Sequence, residues 1–212
     1  MRKLRLTLLG DGSSDRCLLI PIRWLVSQIV DSAIVEYEFA DLGRLPESLS
    51  GRTLSQRIPL AIRYYPCDVL FVHRDAEREP PASRFDEIAR SITEAGTGQR
   101  WVGVVPVRMT EAWLLVEERA IRIAADNPNG AAPLDLPEIE ALERMPDPKA
   151  LLYRALEAAC EKRGRRLAQF QRDRSWRVQR VATLIQDLSK LRALSSFQRL
   201  EHDTRKAIAE MS

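Results

Sequence analysis

Apolar and polar positions along this chain fall into blocks whose period switches between that of a strand and that of a helix. Residues 4–9 (LRLTLL) form a short apolar run of strand length. The run gives way to the charged GDGSSD of residues 10–15, after which apolar residues recur at helical spacing over 18–30. Ser13 or Ser14 is placed to cap that helix. Asp15 falls in its first turn, where the helix dipole favours an acid. The same alternation repeats. Residues 33–40 read as a second strand and 53–65 as a second helix, interrupted or kinked near Pro59. Residues 69–73 read as a third strand that ends in charges. Residues 83–95 read as a third helix, closed by Gly96 and Gly98. The run RWVGVVPVR, residues 100–108, is the fourth strand, and Pro106 assigns it to an edge or a strand end.

Strands alternating with helices predict right-handed crossovers and a mainly parallel four-stranded sheet flanked by helices, an α/β class. Beyond it the period is helical throughout. Residues 110–125 carry TEAWLLVEE and read as one helix, followed by the Pro/Asn/Gly-rich loop DNPNGAAPLDLP. Residues 148–162, 176–188 and 196–211 read as three more helices, the first opened by Asp147 as cap and Pro148 at the first helical position. The expected organisation is an α/β core over residues 1–125 and a helical C-terminal region over 126–212, packed together as one unit.

With 212 residues the chain is long enough to bury a real core. No stretch approaches the roughly 20 apolar residues of a membrane span, and the first apolar run stops at charges without a cleavage site. Cys17, Cys67 and Cys160 are widely spaced and lack a CxxC pair. They read as buried thiols of a reducing compartment, so the expected location is cytoplasmic. Trp101, Trp113 and Trp176 read as packing residues. The net charge of +3 is unevenly spread: residues 1–149 hold 19 Lys and Arg against 23 Asp and Glu, residues 150–212 hold 14 against 7. The densest basic stretch is KRGRRLAQFQRDRSWRVQR, residues 162–180. Such a run is a solvated helical face or a polyanion-binding surface, and it makes Arg165, Arg166, Arg172 and Arg174 candidates for nucleic-acid contacts.

The acids carry the candidate chemistry. In an open parallel sheet, ligands bind beyond the carboxyl ends of the strands. The first strand runs into Asp11 and Asp15, the third into Asp75 and Glu77, and the fourth ends shortly before Glu111. Five carboxylates gathered at one sheet edge repel one another unless cations neutralise them. Hard oxygen donors suit Mg2+ or Mn2+, and two such ions can activate a water and stabilise a leaving oxygen in phosphodiester cleavage. Each acid also has a structural reading: Asp11 as a turn residue, Asp15 and Glu111 as first-turn helix acids. Arg74 could hold a phosphate or pair with an acid. Lys149 could neutralise a phosphate or lie on the surface. His73, at a strand end, reads as a hydrogen-bonded partner. The P-loop, dinucleotide, hydrolase-elbow and zinc patterns are absent.

Strand-acid-Gly-x-x-acid followed by strand-Asp-x-acid resembles the TOPRIM domain shared by topoisomerases, primases and the overcoming-lysogenization-defect nucleases. The resemblance implies metal binding at Asp11 (Glu in that superfamily) and at Asp75 and Glu77 (Asp-x-Asp there). It also implies that Asp15 matches the second acid of the nuclease branch. The chain further resembles a bacterial TOPRIM-like family of unknown function through Glu111–Leu115, Asp147–Lys149 and Ser196–Phe197. What the resemblance implies is a TOPRIM/Rossmann-like fold and a Mg2+- or Mn2+-dependent nuclease. Its catalytic acids would be Asp11, Asp75, Glu77 and Glu111, and its metal ligands Asp11, Asp15, Asp75 and Glu77. DNA or RNA would be the partner, with Arg74 and Lys149 added to the arginines above as contacts. An ATPase partner and a role in phage defence or DNA repair belong to the same implication. Asp for Glu at position 11 shortens the reach by a methylene and Glu for Asp at position 77 lengthens it. The other expectations are therefore an idle TOPRIM-like subunit that binds or regulates an ATPase, and a non-catalytic nucleic-acid binder.

Overall fold

Four apolar runs pair into a single all-parallel sheet in a computed structural model that describes residues 3–31, 33–45 and 53–211. The strands are β1 (Lys3–Leu9), β2 (Ile34–Phe39), β3 (Val69–His73) and β4 (Trp101–Val104), in the spatial order β2-β1-β3-β4. Register places Leu8 against Phe39 on one side of β1 and against Phe71 on the other, and Phe71 against Val102 of β4. β3 is buried at every position, as a strand covered on both faces must be. β4 is an edge strand and ends before Pro106, which agrees with the restriction that proline sets on ladder positions.

The chain forms two units, one of Met1–Val105 with Gln198–Ser212, the other of Pro106–Phe197. In the first, α1 (Leu19–Ser27), α2 (Leu54–Tyr64) and α3 (Pro81–Ala95) connect the strands. Leu9, Leu70, Val72 and Val105 share one core with Leu54, Ile58 and Ala61 of α2 and Ile88 and Ile92 of α3. Gly103 lets α3 approach the sheet: a Cβ there would lie 2.6 Å from the Phe85 ring. The helix expected over residues 53–65 runs through Pro59 as α2, opened by Thr53, whose hydroxyl accepts from the Gln56 amide. The helix expected over 18–30 is shorter. Residues Ser13–Leu18 coil as a 3-10 turn ahead of α1.

In the second unit the helix expected over residues 110–125 is split. Thr110–Leu114 is a 3-10 turn, and α4 covers only Glu118–Ala124. The break has a packing cause. Trp113 is turned inward at 1% exposure, donates from Nε1 to Ser196 Oγ at 3.2 Å, and meets the Phe197 ring edge-on at 5.6 Å. α5 (Pro148–Cys160) starts at Asp147, whose carboxylate accepts from the Ala150 amide at 2.8 Å. Gly164, at φ +55°, then redirects the chain into α6 (Gly164–Arg172). This helix separates from α7 (Arg174–Leu184) at Asp173. Residues 163–175 therefore add a helix that the sequence reading left unassigned. α8 (Ser195–Ala209) begins here, and from Gln198 on its residues belong to the first unit. Glu143 holds its first turn by accepting from the amides and hydroxyls of both Ser195 and Ser196. Among the described residues no helix is long and apolar enough to cross a membrane.

Candidate functional site

The order β2-β1-β3-β4 reverses direction at β1: β2 lies on one side of it and β3 on the other. The carboxyl ends of β1 and β3 therefore flank a topological switch point, where α/β sheets bind ligands. A cleft of about 330 Å3 opens there, lined among others by Asp11, Asp15, His73, Asp75 and Glu77. The four acids expected as metal ligands thus share one cleft.

The loop after β1 is held by its own acid. Asp15 Oδ2 accepts from the amides of Asp11 at 2.7 Å and Gly12 at 3.0 Å, and Oδ1 accepts from the Ser14 hydroxyl at 3.2 Å. Gly10 makes this turn possible, because a Cβ on it would sit 2.7 Å from Asp15 Cβ and 2.9 Å from Oδ2. Asp15 is thereby both the turn's internal cap and one wall of the cleft.

His73 is 2% exposed at the end of β3. Its Nδ1 lies 2.9 Å from the Val104 carbonyl, which can only accept, so the Nδ1 proton points there. Nε2 is then the nitrogen that faces the cleft, 3.6 Å from Asp75 Oδ1 and 3.9 Å from Asp15 Oδ2. Both distances exceed a hydrogen bond. Glu77 is exposed at φ +53°, a conformation that costs a non-glycine residue on the order of 1 kcal/mol. It is set by the turn leaving β3.

Arginines interleave with the acids. Asp11 Oδ1 pairs with Arg57 at 3.3 Å and with Arg74, and Arg57 also donates to the Gly10 carbonyl. Arg74 reaches Glu87 Oε1 at 2.7 Å with its other terminal nitrogen. Glu87 Oε2 pairs with Arg84 at 3.0 Å, and Arg84 donates to the Asp75 carbonyl. The result is an alternating line Arg57–Asp11–Arg74–Glu87–Arg84. Burial pulls the Arg74 guanidinium down, but the hydrogen bond and charge of Asp11, joined by Glu87, more than offset it and hold the group above its ordinary range. Of the two readings of Arg74, the acid partner is the one seen.

The donor set, carboxylate oxygens and one imidazole nitrogen, suits a hard divalent cation in kind. Among the described residues, however, no three His, Cys, Asp or Glu side chains are gathered as a metal-binding group, and Asp11 is engaged by two guanidiniums. Glu87, Arg84 and Arg57 were absent from the sequence reading. Arg84 and Glu87 leave a weak trace, an i,i+3 pair early in the helix after β3. Arg57 leaves none, because only tertiary contact brings α2 to the first loop.

The remaining expected residues belong to the second unit. Glu111 lies in the 3-10 turn at Thr110–Leu114, with Lys149 Nζ 3.8 Å from Oε1. The short motifs that carry the family resemblance meet there: Glu111 with Lys149, and Trp113 with Ser196 and Phe197. Arg165, Arg166, Arg172 and Arg174 are all exposed on α6 and α7. Trp176 is not a packing residue. It stands 59% exposed, because the helical stripe that buries Arg177, Val178, Val181 and Ala182 leaves position 176 outside it. Of the cysteines, Cys17 and Cys160 are buried, and Cys67 is partly buried with a thiol that burial pushes up to about 11.

Comparison with family models, curated proteins and solved structures finds no match for this chain.

Proposed function

We propose that the protein is a Mg2+- or Mn2+-dependent phosphodiester hydrolase acting on nucleic acid through the cleft at the switch point. The supporting observation is that Asp11, Asp15, Asp75 and Glu77, drawn from the ends of two strands far apart in sequence, line one cleft where the sheet order reverses. Asp15, Asp75 and Glu77 would hold the cation, with Asp11 joining them and His73 offering Nε2. The cation would supply Lewis-acid activation of a water and charge stabilisation at the leaving oxygen. The chain's own contributions are positional. The amides of Asp11 and Gly12 fix the Asp15 carboxylate, and the Val104 carbonyl fixes the His73 ring. Arg74 pairs with Asp11 and Glu87, and Arg84 pairs with Glu87 and donates to the Asp75 carbonyl. Glu111 pairs with Lys149 within the second unit, and an ATPase partner is part of the same proposal.

A second reading is an idle TOPRIM-like subunit that binds an ATPase partner. The line Arg57–Asp11–Arg74–Glu87–Arg84 favours it, because the arginines already supply the positive charge a cation would bring. Calorimetric titration with Mn2+ and Mg2+, on wild type beside Asp75→Ala and Asp11→Ala, separates the two when nucleic-acid cleavage is followed on the same samples. Uptake and cleavage that both vanish in the variants support the hydrolase. Uptake without cleavage supports the idle subunit. No uptake in wild type removes the metal from the account altogether.

A further inference from the structure

Residues 162–180 carry eight Lys and Arg against one acid, Asp173. The fold sorts them into two groups. Arg177 is buried. It donates to the Ala124 carbonyl and to Asp126 at 2.7 Å and lies 4.1 Å from the Phe170 ring centroid, so it fastens α6 and α7 to their unit. Lys162 covers the same buried ring at 5.2 Å. Arg165, Arg166 and Arg172 are exposed, and none has an acidic partner among the described residues. On α7 the Trp176 indole stands open to solvent with the Arg180 guanidinium 5.4 Å from its ring, and Arg174 lies over Tyr153 at 4.5 Å.

We infer that this face of α6 and α7 binds single-stranded nucleic acid, with a base stacked on Trp176 and phosphates taken by Arg165, Arg166 and Arg172. The inference rests on the nucleic-acid reading above and names the form of the substrate. An exposed indole flanked by guanidiniums offers a π surface to any base, which is the sequence-tolerant device of single-strand binders. A duplex hides its base faces and can use only the arginines. A protein partner fits the surface less well, since interface cores are depleted in charge and here a lone aromatic sits in a basic field. A membrane fits less well too. The apolar stripe of α7, Val178, Val181 and Ala182, is already buried inside the unit, leaving one indole to insert.

The test is fluorescence anisotropy with a labelled oligothymidylate and a labelled duplex, at several salt concentrations in EDTA, so that no cation-dependent step contributes. Trp176→Ala should weaken single-strand binding about 5- to 30-fold, leave duplex affinity unchanged and leave the salt slope unchanged. Trp176→Phe, which keeps a ring, should restore most of the loss. Arg165→Ala with Arg166→Ala should lower the magnitude of the single-strand slope of log affinity on log salt by about 1.4, or ~0.7 per phosphate released. Unchanged single-strand affinity in Trp176→Ala overturns the inference. So does equal loss for strand and duplex, or no binding to either at low salt by wild type. A protein that takes up Mn2+ and cleaves but ignores Trp176→Ala keeps the hydrolase and loses the stacking site. One that stacks on Trp176 yet takes up no cation does the reverse.

Discussion

The acidic cleft and the basic helix pair handle unbalanced charge in opposite ways. In the cleft every arginine is spent on an acid: Asp11 touches Arg57 and Arg74, and Glu87 touches Arg74 and Arg84. On α6 and α7 the exposed Arg165, Arg166 and Arg172 are paired with no acid among the described residues. The difference follows from place. Carboxylates at the ends of adjacent buried strands are forced close together, partly out of water, where repulsion is expensive. Guanidiniums at the tips of long side chains on an exposed helix spread apart and stay hydrated at little cost. A region neutralised from within is stable as it stands and must exchange partners to take a ligand. A region left unneutralised is ready to take an anion without rearrangement.

Arg177 is where that comparison breaks most sharply, and its removal carries the largest expected effect. It belongs to the basic stretch but behaves like a cleft residue, buried and paired with Asp126. Arg177→Ala should cost roughly 3 kcal/mol, the low end for breaking a buried pair because Asp126 is itself 44% exposed. Arg165→Ala and Arg166→Ala should stay within about 0.5 kcal/mol of wild type. Urea denaturation of the three variants checks both statements, and equal stability among them would show that the Arg177 pair contributes nothing.

The next effect belongs to the cleft. Gly10→Ala drives a methyl to within 2.7 Å of Asp15 Cβ, so the first loop must shift to accommodate it. The expected cost is about 2 kcal/mol, typical of overpacking. Because the same turn fixes the Asp15 carboxylate, cation uptake measured by calorimetry should weaken in step with stability. Retained stability and uptake would mean the loop relaxes freely and that the Asp11 and Gly12 amides are not what holds the acid.

Much of this was legible in the sequence. The four strands, the α/β class and the convergence of Asp11, Asp15, Asp75 and Glu77 followed from apolar runs that end in charges, since strand ends and loops are local features of the chain. Two things were not, and a third is legible only once the helical stripe is drawn. The split of residues 110–125 depends on Trp113 reaching Ser196 and Phe197, more than eighty residues away, and a helical period cannot register that pull. Two of the arginines that pair with the acids come from α2 and α3: Arg57 leaves no mark in its spacing, and Arg84 only its i,i+3 pair with Glu87. The exposure of Trp176 was in principle readable, because residues 177, 178, 181 and 182 define a stripe that excludes it. By composition alone an aromatic side chain among arginines reads as a packing residue.

A smaller effect sharpens the question of what the cleft arginines do. Arg74→Met keeps the aliphatic stem but removes the charge between Asp11 and Glu87. Each acid retains one guanidinium, Arg57 or Arg84, so stability should fall by only about 1 kcal/mol. Mn2+ should then bind more tightly, because the ion competes at Asp11 with one guanidinium, Arg57, instead of two. Tighter binding without cleavage favours the idle subunit. Absence of Mn2+ binding even in this variant would show that the acids serve only the arginines.

The smallest effect is one of pH, and it returns to Asp126. Burial alone would raise this carboxyl, but its hydrogen bonds to Arg177 and Arg180, and their charge, hold it below the ordinary aspartate value. A carboxyl depressed in the folded state stabilises the protein at pH above its unfolded value of about 3.9. That contribution is lost as pH falls through the lower folded value. Asp126→Asn removes the charge and keeps one acceptor oxygen where the carboxylate offered one to each arginine. Near neutral pH it should cost about half a kcal/mol, since solvent screens a side chain this exposed. Below pH of about 4 the two stability curves should converge, as wild type protonates and the variant has nothing left to lose. Curves that stay parallel through that range would mean the arginines hold Asp126 by hydrogen bonding alone, and would assign the acid sensitivity of the second unit to other carboxylates. Glu161 is the first to test, because the Ala132 and Ala131 amides hold its carboxylate low.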